Sequence, residues 1–374
     1  IIKQKHKRKN MKNIIKTVIV MFASISLFGS ANAGELGVSG TAKATYNILS
    51  GQNNQGKGLG VTNELNFTAS GELDNGYTWS YSMELDPGAT SPATETSTGD
   101  TQSAQNDDTK LTLSTPYGTV GVFISEGGLD VEDAASQSVY GRPTDIGDPS
   151  DGTGDNYTID AYNNFQYHTP ADLIPFGTSL KIAYAPDLDT YGSGNNKGVV
   201  DTIAAANIGD SATELQIKVS EIPMADGLTI GASYMEFDGD FEAKVAQAAE
   251  SGAYFATYAY GPFSVGYSQA YKAVNLADNA STALTDTTAE YYDQTNYSVA
   301  YAASDNLSIS YEVEADEVNY VTAATAEVEQ KSKSIQVAYT MGGMTLAVAH
   351  GSYDNTGYVA DVSVDQMLFA VTMA

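Results

Sequence analysis

The sequence predicts an all-β protein whose sixteen antiparallel strands close into a transmembrane β-barrel. Three observations lead there: alternation at strand period along most of the chain, connections sorted into a short and a long set, and aromatic residues near the strand ends. The hairpin 291–316 shows the first. Tyr297, Val299 and Tyr301 share one parity, with Ser298 and Ala300 on the other. After Ser304-Asp305-Asn306, Leu307, Ile309, Tyr311 and Val313 oppose Ser308, Ser310, Glu312 and Glu314. Side chains alternate across a strand, so one face is apolar and the other polar. A soluble sandwich buries the apolar face, whereas a membrane barrel turns it to lipid and keeps the polar face for a wet lumen.

The segments follow in order. Strand 36–49 sets Val38, Ala42, Ala44, Tyr46 and Ile48 against Ser39, Thr41, Lys43, Thr45 and Asn47. Strand 61–72 sets Val61, Leu65 and Phe67 against Thr62, Glu64, Asn66 and Thr68, and Asp74-Asn75-Gly76 is a hairpin turn signal. Strand 77–86 alternates Trp79, Tyr81, Met83 and Leu85 with Ser80, Ser82, Glu84 and Asp86. Segment 108–115 places Leu111 and Leu113 opposite Lys110, Thr112 and Ser114, and Pro116-Tyr117-Gly118 turns it into 119–125. The pattern repeats at 161–169, 178–187, 211–221, 228–238, 251–261, 263–273, 290–303, 307–316, 332–341, 344–353 and 359–374.

The connections separate the sandwich from the barrel. One set is short (74–76, 116–118, 261–262, 304–306, 342–343), with somewhat longer links at 170–177 and 222–227. The other is mostly long and polar: 50–60, 87–107, 126–160, 188–210, 239–250, 274–289 and 317–331, with a brief one at 354–358. Short turns at one end and long loops at the other are the asymmetry of outer-membrane barrels, and nothing in a sandwich demands it. Aromatics fit two girdles. Tyr77, Trp79, Tyr117, Phe176, Tyr258, Tyr260, Phe263, Tyr301 and Tyr339 lie by the short turns. Tyr46, Tyr184, Phe237, Tyr271, Tyr291, Tyr311 and Tyr353 lie towards the long loops.

Composition narrows the chemistry. There is no cysteine, so neither a disulfide framework nor a thiolate site is available. Residues 1–33 read as a leader: Met11 is the expected start, Thr17–Phe28 the apolar run, and Ala31-Asn32-Ala33 the cleavage site, leaving 34–374 as the barrel. Seven of the 18 basic residues fall in that leader, so the remainder holds 11 basic and 46 acidic residues, a net charge of −35. Such a body does not suit nucleic acid, whereas multivalent cations suit it. His168 and His350, the histidines beyond the leader, lie far apart in sequence without a nucleophile elbow or zinc spacing, which argues against an enzyme. A secreted acidic adhesin or surface-layer protein is the rival reading; it shares the export signal and β-content but not the sorted loops.

Taken together, the opening LGVSGTAKATYN, the hairpin ASGELDNGYTWSYSMEL, STPYGTVGVF before a long loop, and the aliphatic-aromatic last strand resemble the general porins of Gram-negative outer membranes. That resemblance implies a homotrimer embedded in outer-membrane lipid and lipopolysaccharide, passing small hydrophilic solutes and ions passively. It also implies a third long loop, 126–160, folded into the lumen as a constriction. The chain departs from the pattern twice. Met367, Phe369, Val371 and Met373 are in phase with a terminal aromatic at position 375, yet the sequence stops at Ala374, which reads as short by one residue. Where many such porins carry an arginine cluster, this body has Arg142 alone.

Loop 126–160 opens with Asp130-Val131-Glu132-Asp133-Ala134-Ala135-Ser136, which reads as a short helix with an acid at its start. The candidate constriction residues are Asp130, Glu132, Asp133, Arg142, Asp145 and Asp148. The candidate wall residues are Lys43, Glu64, Glu84, Lys110, Lys181 and Lys218, which opposite an acidic loop would set up a weak transverse field. The expected outcome is modest cation selectivity. Asp148, Asp151 and Asp155 space carboxylates around a turn, either a structural calcium site or a solvated acidic turn; Glu236, Asp238 and Asp240 form a weaker cluster.

Overall fold

The computed structural model describes residues 35–51, 56–86, 105–146, 155–170, 172–186, 188, 211–238, 245–277, 285, 288–322 and 326–373. The strands are β1 (Glu35–Gly51), β2 (Gly56–Glu72), β3 (Thr78–Asp86), β4 (Gln105–Thr115), β5 (Gly118–Ile124), β6 (Asn164–His168), β7 (Thr178–Ala185), β8 (Ser211–Val219), β9 (Leu228–Asp238), β10 (Val245–Gln247), β11 (Glu250–Tyr260), β12 (Phe263–Ala273), β13 (Leu276–Ala277), β14 (Ala289–Ala302), β15 (Leu307–Tyr320), β16 (Glu329–Met341), β17 (Met344–Asp354) and β18 (Ser363–Met373). Sixteen of them form one closed barrel in which sequence neighbours pair antiparallel, and β10 and β13 form a separate two-stranded ribbon. Closure is made by β1 on β18, from Ala42 opposite Met373 to Gly51 opposite Val364. A closed ladder leaves no sheet edge, which lipid demands because it offers the backbone no hydrogen bonds.

The hairpin that posed the choice between sandwich and barrel now settles it. On its apolar face Tyr297 is 48% exposed and Tyr311 43%, while on its polar face Ser298 is 6% and Glu312 0% exposed. The apolar face is therefore the outer wall and the polar face lines the interior. The tight ends are built by residues that tolerate left-handed backbone. In the 342–343 turn Gly342 takes φ 62°, and Gly118 takes φ 124° where Thr115 Oγ1 donates to its carbonyl at 2.9 Å.

Two aromatics expected in the outer girdle are turned inward. Phe237 is buried against the rings of Tyr157 and Tyr162, and Tyr353 is fully buried with its hydroxyl donating to Pro143 O at 2.7 Å. Each shares parity with inward-facing neighbours, Ser233 and Met235 for one and Ala349 and Gly351 for the other. Others do face outward near the short turns, among them Tyr260, Phe263 and Tyr301, the last two stacked 4.7 Å apart.

Candidate functional site

The segment after β5 runs along the inner wall, and the wall meets it with a side chain from strand after strand. Gln166 on β6 donates to Gly127 O at 2.5 Å, and Gln216 on β8 to Leu129 O at 2.8 Å. Glu214, also on β8, accepts the backbone N–H groups of Leu129 (3.3 Å) and Ile159 (2.9 Å). Val131 N–H donates to Ser233 Oγ on β9, and the hydroxyls of Ser268 on β12 and Ser298 on β14 donate to Glu132 O and Ala135 O, both at 2.7 Å. Glu312 on β15 accepts the hydroxyls of Ser136 (2.6 Å) and Ser138 (2.5 Å). Gln336 on β16 accepts the N–H of Tyr140, and Gln366 on β18 donates to Ile146 O at 2.7 Å. An irregular segment inside a barrel needs partners for its peptide groups, and this wall supplies them.

Apolar side chains of the segment sink between small wall residues. Leu129 and Ile159 pack with Ala183, Ala185, Ala212, Met235 and Phe237; Val131 and Ala135 pack with Ala253, Phe255 and Ala270. Farther along, Ile146 rests on Ala349 and Leu368. Gly266 of β12 is needed where it stands, because a Cβ there would collide with the carbonyl of Ala135. The short helix expected over 130–136 is a single 3-10 turn, Glu132–Ala135, with Asp130 Oδ2 accepting the Glu132 N–H at 2.9 Å.

The candidate acids divide into two kinds. Asp130 faces the wall and the returning chain, accepting from Ser233 Oγ (2.8 Å) and Asn156 Nδ2 (3.1 Å). Glu132 is buried and accepts the N–H of Asn156; burial, with Asp130 and Asp133 beside it, pushes its carboxyl well above the usual carboxylate range. Asp133 and Asp145 keep about half of each side chain in water, at 51% and 54% exposure. Although half of its side chain meets water, the Asp133 carboxyl is pushed up to about 7 by partial desolvation and by Asp130 and Asp145, against the opposing pull of Arg142. Arg142 itself is clamped rather than displayed: it bonds Asp133, Asp145 at 3.1 and 3.2 Å, and the buried Glu314 at 3.4 Å. Asp148 and Asp151 lie outside the described residues, as do Asp240 and residues 1–33, where the leader is expected. Asp155 is described, and among the described residues no group of three acids or histidines is placed to hold a metal.

The wall residues named from sequence also separate. Lys43 lies 5.5 Å from the centroid of the Tyr140 ring, and Lys110 is paired with Glu126 at 2.5 Å. Glu64 on β2 accepts from Thr41 Oγ1 at 3.3 Å, and Glu84 shares its inward parity on β3. Lys181 and Lys218 face inward on β7 and β8, near the short-turn end. His168 faces inward on β6 whereas His350 faces outward on β17, so the wall itself separates the two histidines. The loop anchors Ser233, Ser268, Ser298, Gln336 and Gln366 were not singled out from sequence. Their signal was a recurring hydroxyl or amide at inward positions of successive strands.

A closed barrel with an outward apolar wall and a polar, partly lined interior is a membrane channel. The sequence profile of the Gram-negative porins matches residues 17–373, and the chain belongs to that family, as an outer-membrane channel. No curated protein matches significantly. Among solved structures, the outer-membrane channel DcaP of Acinetobacter baumannii superposes with a TM-score of 0.63 at 13% identity, covering 92% of this chain and 99% of its own. Salmonella typhi OmpF, solved in complex with daunomycin, gives 0.60 at 13% identity over 90% and 97%. Vibrio cholerae OmpT with loop L8 deleted gives 0.59 at 13% identity over 91% and 99%. At such identities the likeness is one of fold.

Proposed function

We propose that the chain forms a water-filled, modestly cation-selective pore for passive diffusion of small hydrophilic solutes, with segment 126–160 setting its narrowest section. The observation that carries this reading is the exposure of Asp133 and Asp145 on a segment bound to the inner wall from β6 to β18. Carboxylates in a narrow aqueous passage with low-dielectric walls concentrate cations and repel anions. Glu132, buried and held towards its neutral form, adds little to that field.

Reversal potentials across planar bilayers in a salt gradient test it. Cation preference is expected to fall when Asp133 and Asp145 are both changed to asparagine, and to weaken in concentrated salt as the screening length shrinks from about 10 Å at 0.1 M to about 3 Å at 1 M. An anion-selective wild-type pore would falsify the charge assignment. Titration gives a second check. The Asp133 carboxyl, pushed up to about 7, is charged above that pH and neutral below it. Cation preference should therefore rise from about pH 6 to about pH 8, and the Asp133→Asn variant should show a smaller rise.

Assembly as a homotrimer in outer-membrane lipid belongs to the same reading and is supported by family membership. Detergent-extracted protein is expected to run as a slow trimer band when unboiled and as a monomer after boiling. A single monomer-sized species under both conditions would reject it.

A further inference from the structure

The cations inside the barrel are unequally engaged. Arg142 is held by three carboxylates, Lys110 by Glu126, Lys43 lies against the Tyr140 ring, and Lys272 lies 4.9 Å from the centroid of the Tyr157 ring. Lys181 and Lys218 differ: among the described residues neither has an ion pair, hydrogen bond or ring contact. The register sets them together. Ser179 pairs directly with Lys218 and Gln216 with Lys181, so the two lysines are diagonal neighbours on one face, roughly 7–8 Å apart in the backbone and somewhat closer at Cβ. Ser179 shares that face, two residues from Lys181, and its hydroxyl has no partner among the described residues. His168 stands opposite Lys181 on β6, with Nε2 bonded to Gln166 Oε1 at 2.7 Å.

Their height in the barrel matters as much as their grouping. Glu214, which anchors the lining segment, is four residues from Lys218 on the same strand, about 13 Å at roughly 3.3 Å per residue. The basic group therefore lies between the acidic segment and the short-turn mouth. Lys218, Ser179 and Ser220 line a cavity of about 500 Å³ at that mouth. The carboxylates on the same cavity, Asp172 and Glu221, form no ion pair with either lysine. In a body of net charge −35, two unpaired lysines side by side on a wetted wall form a local well for anions.

We propose that Lys181, Lys218 and Ser179 form a weak oxyanion-binding station on the short-turn half of the pore wall, suited to a small multivalent anion such as inorganic phosphate. Two ammonium groups supply charge and the serine hydroxyl a directed donor. The pore then carries two poles in series, an acidic one at the lining segment and a basic one beneath it. An anion entering from the short-turn side meets the station first, whereas one entering from the long-loop side must first pass Asp133 and Asp145.

The inference rests on the channel reading, and one recording separates the two. Single channels are recorded in chloride while phosphate is added to one compartment at a time, ionic strength being matched with chloride. The expected result is a saturable fall in conductance, stronger from one side than from the other. Lys181→Gln combined with Lys218→Gln should weaken phosphate about tenfold, or about 1.4 kcal/mol. Lys43→Gln combined with Lys110→Gln should leave the phosphate response in place. Open wild-type channels indifferent to phosphate from both sides would overturn the station without touching the channel reading. So would a double variant with unchanged response. Failure of purified wild-type protein to conduct at all would count against the channel reading. Should the double variant not assemble, Lys218→Gln alone, at an exposed position, should still weaken phosphate, and no weakening would overturn the station.

Discussion

Changing Arg142 to glutamine is expected to lower barrel stability by about 3–5 kcal/mol and to raise single-channel conductance. The guanidinium is the cation that neutralises Glu314, a carboxylate 3% exposed on β15. Without it Glu314 keeps hydrogen bonds from Thr144 N (3.1 Å) and Thr144 Oγ1 (2.9 Å) but loses its counter-charge. Asp133 and Asp145, both held by Arg142, are freed at the same moment, so the segment loses a clamp and gains self-repulsion. The check is the temperature at which the unboiled, compact band is lost on a gel, read beside channel recordings. Lys331→Gln is the comparison: its pair with Glu329 at 2.5 Å is between partly exposed side chains and should matter by less than about 1 kcal/mol. Equal effects from the two variants would show that Arg142 is not a clamp.

Removing the Glu312 carboxylate is expected to have an effect of similar size. It is fully buried and accepts from Ser136 Oγ, Ser138 Oγ and Asn296 Nδ2 at 2.5 to 2.6 Å. Glu312→Leu leaves those donors facing an apolar side chain, at about 1–3 kcal/mol for each that finds no water. The middle of the segment should then lift from the wall, and single-channel records should show a larger, flickering conductance. Glu312→Gln, which keeps acceptor oxygen, should restore much of the steady current. A Leu variant with wild-type current and noise would mean that the remaining anchors hold the segment without it.

The strands were legible because lipid and water impose opposite demands on alternate residues. The segment 263–273 is β12 as read from alternation alone, and the closing strand differs mainly in starting at Ser363 rather than 359. The ribbon of β10 and β13 was not visible, since strands of three and two residues inside long polar connections carry no period. The lining segment was harder still. Asp130, Glu132 and Asp133 looked alike in sequence, but an irregular backbone has no fixed parity, and only the wall decides which of them meets water. Phe237 and Tyr353 were misassigned to the outer girdle because residue type outweighed parity, although parity already placed Phe237 with Ser233.

The order of synthesis bears on how the lining segment reaches its seat. Its anchors on β8 to β18 all follow it in the chain: Ser233 is 102 residues beyond Val131, and Gln366 is 220 beyond Ile146. Each such contact closes a long loop whose entropy must be met by neighbours already in place. The segment therefore has nothing to dock on until the later strands have paired. A nascent barrel stalled before its last hairpin would carry the far end of the segment loose, with Ile146 presented to water because Ala349 and Leu368 lie on β17 and β18. Protease accessibility of that stretch should report how far closure has advanced.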